Sequence, residues 1–229
     1  MTNWHIVSRS GEPFSDRAEA GRLLAEELME FAGKNAIILG IPRGGMAVAR
    51  EIARRLDAEL DIVLSRKLRS PGQPELAFGA ISEDGQMSFN QDVVSMLDIK
   101  PEYIEREKTF QIDEINRRNR IFRHVRSKVS LVDRITIITD DGVATGATFK
   151  AALVAARHEN PAELIAAVPV GLEETVKTLA ENADELICLR SPPIFAAVGQ
   201  FYRRFNQLED EDVLAILREE SSRIKSPKA

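Results

Sequence analysis

The chain has 229 residues, 44% of them hydrophobic, and a formal net charge of −5. This is enough for one sizeable core with a small appended lobe, and the mild negative charge disfavours a general nucleic-acid binder. The only cysteine, Cys188, excludes an intrachain disulfide and a zinc site built from cysteines. We find no signal-like segment and no apolar run long enough to cross a membrane, and we therefore expect a cytoplasmic protein.

Helical and strand patterns alternate along the chain. Residues 16–33 predict an amphipathic helix that starts at the capping-box spacing of Asp16 and Glu19. The apolar run at residues 36–41 predicts a buried strand, and residues 44–57 predict the next helix. Further strands are predicted at residues 60–68, 134–140, 163–171 and 185–190, and further helices at residues 101–126, 146–158 and 209–224. This alternation predicts a mostly parallel sheet flanked by helices on both faces.

The stretch between the second strand and the long helix has a different character. Residues 69–75 are rich in proline and glycine and predict a loop. Residues 76–82 and 86–90, joined by an "EDG" turn, predict a β-hairpin. The long helix that follows has a basic stretch at residues 117–126. Because the same helix begins with acidic residues, we favour a solvated face that complements the helix dipole over an RNA site.

Three loops should meet beyond the carboxyl ends of the strands, where ligands of such sheets bind. The first, "GIPRGG", lacks the Lys-Ser/Thr of a Walker site, but it carries Arg43, and Gly44 and Gly45 let backbone amides approach an anion. A plain strand-to-helix turn with a surface arginine fits this loop equally well. The second loop places Arg66 and Lys67 at the end of a strand. The alternative for that pair is two solvated charges.

The third loop, "TDDGVATGAT", puts Asp140 and Asp141 directly after a buried strand. Two adjacent carboxylates repel each other and need solvent or partners. A turn rich in glycine and threonine before a helix suits a phosphate, because the helix N-terminus presents free N–H groups. The loop therefore predicts acidic groups for hydroxyls or a metal beside amides for an anion. The alternative is that the carboxylates cap a neighbouring helix.

Together these motifs carry a resemblance. "ITIITDDGVATGAT" resembles the signature of type I phosphoribosyltransferases, and "GIPRGG" is similar to their pyrophosphate loop. "RKLRSPGQPELAFGAIS" resembles the mobile loop and hairpin of an uncharacterised bacterial branch of that family. The resemblance implies one domain over residues 1–229, with a small hood formed by residues 191–229, by the N-terminal segment, or by both. Thr139 and Gly142 depart from the usual apolar and branched residues at their positions, but the required groups remain.

The resemblance also implies an activity, the displacement of pyrophosphate from 5-phosphoribosyl 1-pyrophosphate by a nitrogen nucleophile, usually a nucleobase, with Mg²⁺. Asp140 and Asp141 would hold the ribose hydroxyls, contribute to the magnesium site and favour an oxocarbenium-like centre. Arg66 and Lys67 would neutralise the leaving pyrophosphate. The other residues expected to bind the donor are Arg43, Gly44, Gly45, Gly142, Val143, Ala144, Thr145, Gly146, Ala147 and Thr148, those at 144–148 holding the 5-phosphate.

Three expectations complete this interpretation. Phe201 or Tyr202 is a candidate for stacking on the acceptor base, with hydrophobic packing as the alternative. Residues 68–77 are expected to form a lid, because a reactive ribosyl centre must be shielded from water, and a passive loop is the alternative. The resemblance further implies a homodimer. Two other functions stay open, namely a regulator that senses the donor without turnover and a generic phosphosugar-binding domain, which the acidic pair disfavours.

Overall fold

A parallel sheet of six strands, with helices on both faces, forms the centre of the molecule. The computed structural model describes residues 3–225, apart from the side chains of residues 74, 75, 224 and 225. The strands are β1 (Trp4–Ser8), β2 (Ile37–Gly40), β3 (Glu59–Ile62), β4 (Ser65–Ser70), β5 (Gln73–Ser82), β6 (Met87–Phe89), β7 (Ile135–Thr139), β8 (Glu163–Val170) and β9 (Glu185–Arg190). The main sheet has the order β1-β9-β8-β7-β2-β3, and every neighbouring pair in it is parallel. This confirms the predicted fold class.

Helices cover both faces of this sheet because its inner strands are apolar on both sides. The helices are α1 (Arg17–Glu27), α2 (Gly44–Leu56), α3 (Gln91–Met96), α4 (Pro101–Phe122), α5 (Ala147–Arg157), α6 (Glu173–Ala180) and α7 (Asp210–Lys225), with short 3-10 turns at Met29–Phe31 and Val198–Phe201. Alternate strand residues point to opposite faces, so Ile137 packs in the same core as α1, α2 and α7, whereas Ile138 packs with α5 and α6.

The start of α1 agrees with the prediction, although the helix is shorter than expected. The Asp16 carboxylate accepts a hydrogen bond from the Glu19 backbone N–H at 3.0 Å, as an N-cap does. Glu19 in turn accepts a hydrogen bond from the Ser15 backbone N–H. The α-helix ends at Glu27, and a 3-10 turn continues the segment to Phe31.

The prediction of one strand over residues 60–68 is wrong. Val63 and Leu64 separate β3, the edge of the main sheet, from β4, which belongs to a second, antiparallel sheet with the order β4-β5-β6. Arg66 and Lys67 therefore lie near the beginning of β4 rather than at the end of a long strand. They still follow the carboxyl end of β3, at the edge of the sheet where the loops were expected to meet.

The predicted loop over residues 69–75 is a tight β-turn. Ser70 pairs with Gln73, and Gly72 has φ +68°, as a Pro-Gly type II turn requires. The proline and glycine residues of this segment exclude a central strand, but not one with a single neighbour. Proline is tolerated here because β6 pairs only with Gly79–Ile81, which leaves the first half of β5 with a single neighbour. The predicted β5–β6 hairpin is confirmed, and the role of residues 68–77 as a lid stays a prediction.

Elements β1, α3 and α6 were not predicted. Strand β1 pairs in parallel with β9 at the edge of the sheet, and its residues alternate between half-buried and exposed.

The segments proposed as alternatives for the hood are joined to each other. The Phe14 N–H donates to the Phe201 carbonyl, and the Arg203 N–H donates to the Phe14 carbonyl, both at 2.8 Å.

Within residues 3–225, no helix combines the length and the apolar character that crossing a membrane requires.

Candidate functional site

The loops after β2 and β7 touch each other at a topological switch point, because the chain proceeds from β2 outward to β3 but from β7 in the opposite direction. A Cβ atom on Gly44 would lie 1.9 Å from Asp141 Oδ2. A Cβ atom on Gly45 would lie 2.8 Å from both Asp140 Cα and the Thr139 carbonyl oxygen. Only glycine leaves room for this approach. The glycine loop and the acidic pair therefore form one site.

The acidic pair is only partly accessible to solvent. The Asp141 backbone N–H donates to Asp140 Oδ1 at 2.8 Å. Burial, together with the neighbouring Asp141 carboxylate, raises the pKa of Asp140 well above its usual range. Burial also raises the pKa of Asp141, against the opposing effect of Arg17. Such a pair favours a ligand that brings hydroxyl donors or a cation.

Arg17 is a site residue that the sequence analysis missed. Its Nε donates to Asp141 Oδ2 at 2.8 Å, and only 11% and 15% of the two side chains are exposed. Its Nη1 donates to the Asn206 carbonyl at 2.8 Å, and its guanidinium carbon lies 3.9 Å from the centroid of the Phe205 ring. The sequence carried one signal, because an arginine in the first turn of a helix opposes the helix dipole and needs an anion elsewhere.

The turn that connects the acidic pair to α5 leaves the start of that helix open. Gly146 is the N-cap residue of α5, with φ +71°, and no side chain caps the helix there. A Cβ atom on Gly142 would lie 2.7 Å from Val198, so this glycine allows the turn to pack closely against the 3-10 turn at Val198–Phe201. Val143 is buried, whereas Thr145 and Thr148 are exposed. The free N–H groups of α5 can therefore receive an anion, with two hydroxyl groups beside them.

The three cations that were predicted to bind one pyrophosphate have different surroundings. Arg43 precedes α2, and its guanidinium forms an ion pair with Glu209. The Pro42–Arg43 peptide bond is cis. Arg66 and Lys67 instead line a cavity of about 350 Å³ together with Thr148. Pro42 lines the same cavity, which therefore opens between the glycine loop and the first turn of α5.

The predicted stacking of an acceptor base on Phe201 or Tyr202 conflicts with their burial. Phe201 is 2% exposed and Tyr202 is 6% exposed. The Tyr202 hydroxyl donates to the Asp141 carbonyl at 2.5 Å, and burial raises the pKa of this phenol well above its usual range, so the hydroxyl keeps its proton. Hydrophobic packing, the alternative interpretation, describes both residues. Phe205, which stacks on Tyr202 at a centroid distance of 5.0 Å, is the more exposed ring at 38%.

Cys188 is buried in β9, as expected for a core residue. Burial raises the pKa of its thiol to about 12, so the sulfur stays protonated and is a poor nucleophile at neutral pH.

The donor set suits a magnesium ion that arrives with a substrate. Among the described residues, no three acidic, histidine or cysteine side chains cluster as a ready-made metal site. Asp140 and Asp141 supply carboxylate oxygens at one place, and one of these oxygens already accepts a hydrogen bond from Arg17. Magnesium is commonly held by one or two carboxylates, with substrate phosphates and water completing its shell. The pair fits that mode.

Comparisons with known proteins agree with this geometry. A profile of the phosphoribosyl transferase domain matches residues 16–205. Two Mycobacterium tuberculosis proteins, named "Putative phosphoribosyl transferase MT0597" and "Putative phosphoribosyl transferase Rv0571c", are each 46% identical to this chain over 204 residues. The alignment covers 89% of this chain but only 46% of each relative. The chain therefore spans about half the length of these relatives.

The crystal structure of TT1426 from Thermus thermophilus is also similar. It superposes with a TM-score of 0.84 at 43% sequence identity and covers 90% of this chain and 98% of that one. The domain match alone covers more than half of the present sequence and includes the glycine loop, the acidic pair and the turn before α5. The chain therefore belongs to the phosphoribosyl transferase family, as its resemblance to type I phosphoribosyltransferases predicted.

Proposed function

We propose that this protein catalyses the displacement of pyrophosphate from 5-phosphoribosyl 1-pyrophosphate by a nitrogen atom of a nucleobase. The observation that carries the proposal is the contact between the glycine loop and the acidic pair, directly before the uncapped N-terminus of α5. This arrangement can bind an anionic group on each side of the acidic pair. The proposed donor is a sugar that bears a phosphate at one end and a pyrophosphate at the other, so it carries an anionic group at each end.

Each group has a role in this proposal. The N–H groups at the start of α5, with the Thr145 and Thr148 hydroxyls, hold the 5-phosphate. Asp140 and Asp141 accept hydrogen bonds from the ribose hydroxyls, and their negative charge favours the positive charge that develops on the ribosyl carbon as the pyrophosphate departs. Arg66 lines the cavity between the glycine loop and the first turn of α5 and stabilises the departing anion.

Magnesium enters the proposal as part of the bound donor. When bound, it would neutralise charge on the pyrophosphate and lower the barrier to its departure. Asp140 and Asp141 would contact it directly or through water, because the available carboxylate oxygens are too few for a closed site.

A donor-sensing regulator is the second candidate function. Asp141 is engaged by Arg17, and Arg43 is engaged by Glu209. A donor would have to replace these internal ion pairs, and such an exchange could report the donor concentration without any chemistry.

The decisive experiment measures pyrophosphate release with donor, magnesium and a panel of nucleobases, alongside calorimetry of donor binding with and without magnesium. Pyrophosphate release that depends on one base establishes the enzyme and identifies the acceptor. Tight binding of the donor with no release across the panel favours the sensor. No heat at millimolar donor contradicts both functions.

We further propose a homodimer, on the strength of the family resemblance alone. Light scattering at micromolar concentration should then give a mass near twice the 25.5 kDa of the chain. A single species at 25.5 kDa contradicts the dimer and leaves the proposed chemistry untouched.

A further inference from the structure

One face of α4 forms a wall of the cavity that contains Arg66. Gln111, Ile115 and Arg118 all line this cavity. Their spacing of four and then three residues places them on one side of a helix. The prediction that residues 117–126 form a solvated face is therefore wrong for Arg118. It describes Arg117 well, because that side chain is 50% exposed and pairs with Glu114.

The cavity carries a concentrated positive charge. Its lining includes Arg66, Lys67, Arg69 and Arg118, and none of the described lining residues is acidic. Burial, followed by the positive charge of Arg118, lowers the pKa of Arg66. Like charges at such a site repel each other and are stabilised by an anion between them.

A hydrogen-bonded chain on α4 fixes two of these cations. The Arg66 Nε donates to Gln111 Oε1 at 2.9 Å, and the Gln111 amide donates to Glu107 Oε1 at 2.7 Å. The same oxygen accepts from the Arg69 Nε at 3.0 Å. Glu107 is 8% exposed and lies behind the cavity lining. The chain therefore orients Arg66 and Arg69 without placing a carboxylate in the cavity.

Arg118 is the cation whose bonding is incomplete. Its Nε is buried, and this donor has no hydrogen-bond acceptor among the described residues. A buried N–H group without a partner is costly, and a native structure retains one mainly where a ligand or water completes it. The cavity also contacts Pro42 of the glycine loop and Thr148 in the first turn of α5. An anion in it would lie beside both phosphate-binding loops.

We propose that Arg118 binds the pyrophosphate of the donor, and the free pyrophosphate product, from the α4 side of the cavity. This inference rests on the proposed function and adds a ligand-binding residue to the same site. Pyrophosphate is the fitting anion, because its two phosphate groups offer enough oxygens to accept hydrogen bonds from Arg118 and Arg66 together. A single phosphate can satisfy fewer of these donors.

Calorimetry with magnesium pyrophosphate, and separately with inorganic phosphate, tests the proposal on the full chain. Arg118→Gln should weaken pyrophosphate binding at least tenfold and phosphate binding much less. Arg117→Gln is the matched control, since it removes the same charge from the adjacent position outside the cavity, and its affinity should stay within twofold of wild type. Turnover should distinguish the same two variants, because Arg118→Gln should raise the KM for the donor and Arg117→Gln should not.

The outcomes separate this inference from the proposed function. If wild-type protein binds neither the donor nor pyrophosphate, the proposed function fails, and the role of Arg118 falls with it. If wild type binds but Arg118→Gln binds equally well, or if both glutamine variants weaken binding equally, only the role of Arg118 is overturned. Should Arg118→Gln fail to fold, Arg118→Lys keeps the charge but loses the Nε donor. A several-fold loss in that variant supports the proposal, and unchanged affinity overturns it.

Discussion

Replacement of Gly45 by alanine tests the contact between the two loops most directly. Gly45 is the second residue of α2, and its φ is not in the left-handed region. Alanine in a helix is ordinarily favoured over glycine by up to about 1 kcal/mol. Propensity alone therefore predicts that Gly45→Ala stabilises the protein. The structure predicts the opposite sign.

The size of the effect follows from the geometry. The new Cβ would lie 2.8 Å from two backbone atoms, Asp140 Cα and the Thr139 carbonyl oxygen, neither of which can rotate away. Carbon contacts are comfortable at about 3.5 Å or more, so the loops must separate by roughly 0.7 Å. Overpacking of this kind costs about 1–3 kcal/mol. For a chain of this length, that lowers the unfolding temperature by roughly 2–12 °C.

Scanning calorimetry and isothermal titration with donor and magnesium measure the two consequences. Gly45→Ala should unfold at a lower temperature and bind the donor at least tenfold more weakly, because the glycine loop and the acidic pair no longer keep their spacing. Gly11→Ala is the control, since the nearest atom to its new Cβ would be 3.9 Å away, and it should match wild type in both assays. A Gly45→Ala protein that is as stable as wild type and binds the donor normally refutes the close contact.

Three further predictions concern the charged groups of the site. Because burial and its neighbour raise the pKa of Asp140, ionisation of this group opposes folding, so stability should fall as the pH rises above about 4. Asp140→Asn should therefore raise the unfolding temperature at pH 7 but not near pH 3. The double variant, in which Asp141→Asn is added, should lose pyrophosphate release. Normal turnover in the double variant contradicts the proposal that the two carboxylates bind the ribose hydroxyls. Arg17→Gln removes the cation paired with Asp141 and should cost roughly 1–3 kcal/mol in urea unfolding, and an unchanged midpoint contradicts a stabilising pair. Glu209→Gln frees Arg43 and should tighten donor binding a few-fold by calorimetry, whereas weaker binding shows that the ion pair positions Arg43 instead.

The parts of the fold that could be predicted from the sequence are those with a strong local signal. The run "ITII" has no polar interruption except threonine, and it forms a buried strand at the centre of the sheet. Pro101 stands at the first position of α4, where its missing N–H costs nothing. The turn at Gly146 and the helix after it were predicted for the same kind of reason, since glycine marks the cap and alanine-rich sequence propagates the helix.

The missed features depend on contacts between distant parts of the chain. Arg17 and Asp141 are 124 positions apart, and no local pattern joins them. The break between β3 and β4 was invisible because "LDIVLSRKL" is continuously strand-like, and only pairing with two different sheets divides it. For Phe201 and Tyr202 the sequence left base stacking and hydrophobic packing open, because an aromatic pair after prolines fits either. The N-terminal segment that buries them was not recognised as their partner.

The place of β1 has a consequence for the order of folding. Trp4 pairs with Leu186 and Ser8 with Arg190, so β1 joins the strand of the main sheet that is farthest from it along this sequence. Pairing across so many residues is slow, because a large loop must close before any hydrogen bond compensates for its entropy. Strands β2, β3, β7 and β8 can pair with one another before β1 joins the sheet. Deleting residues 4–8 should therefore spare early folding and leave the edge of β9 open to other strands.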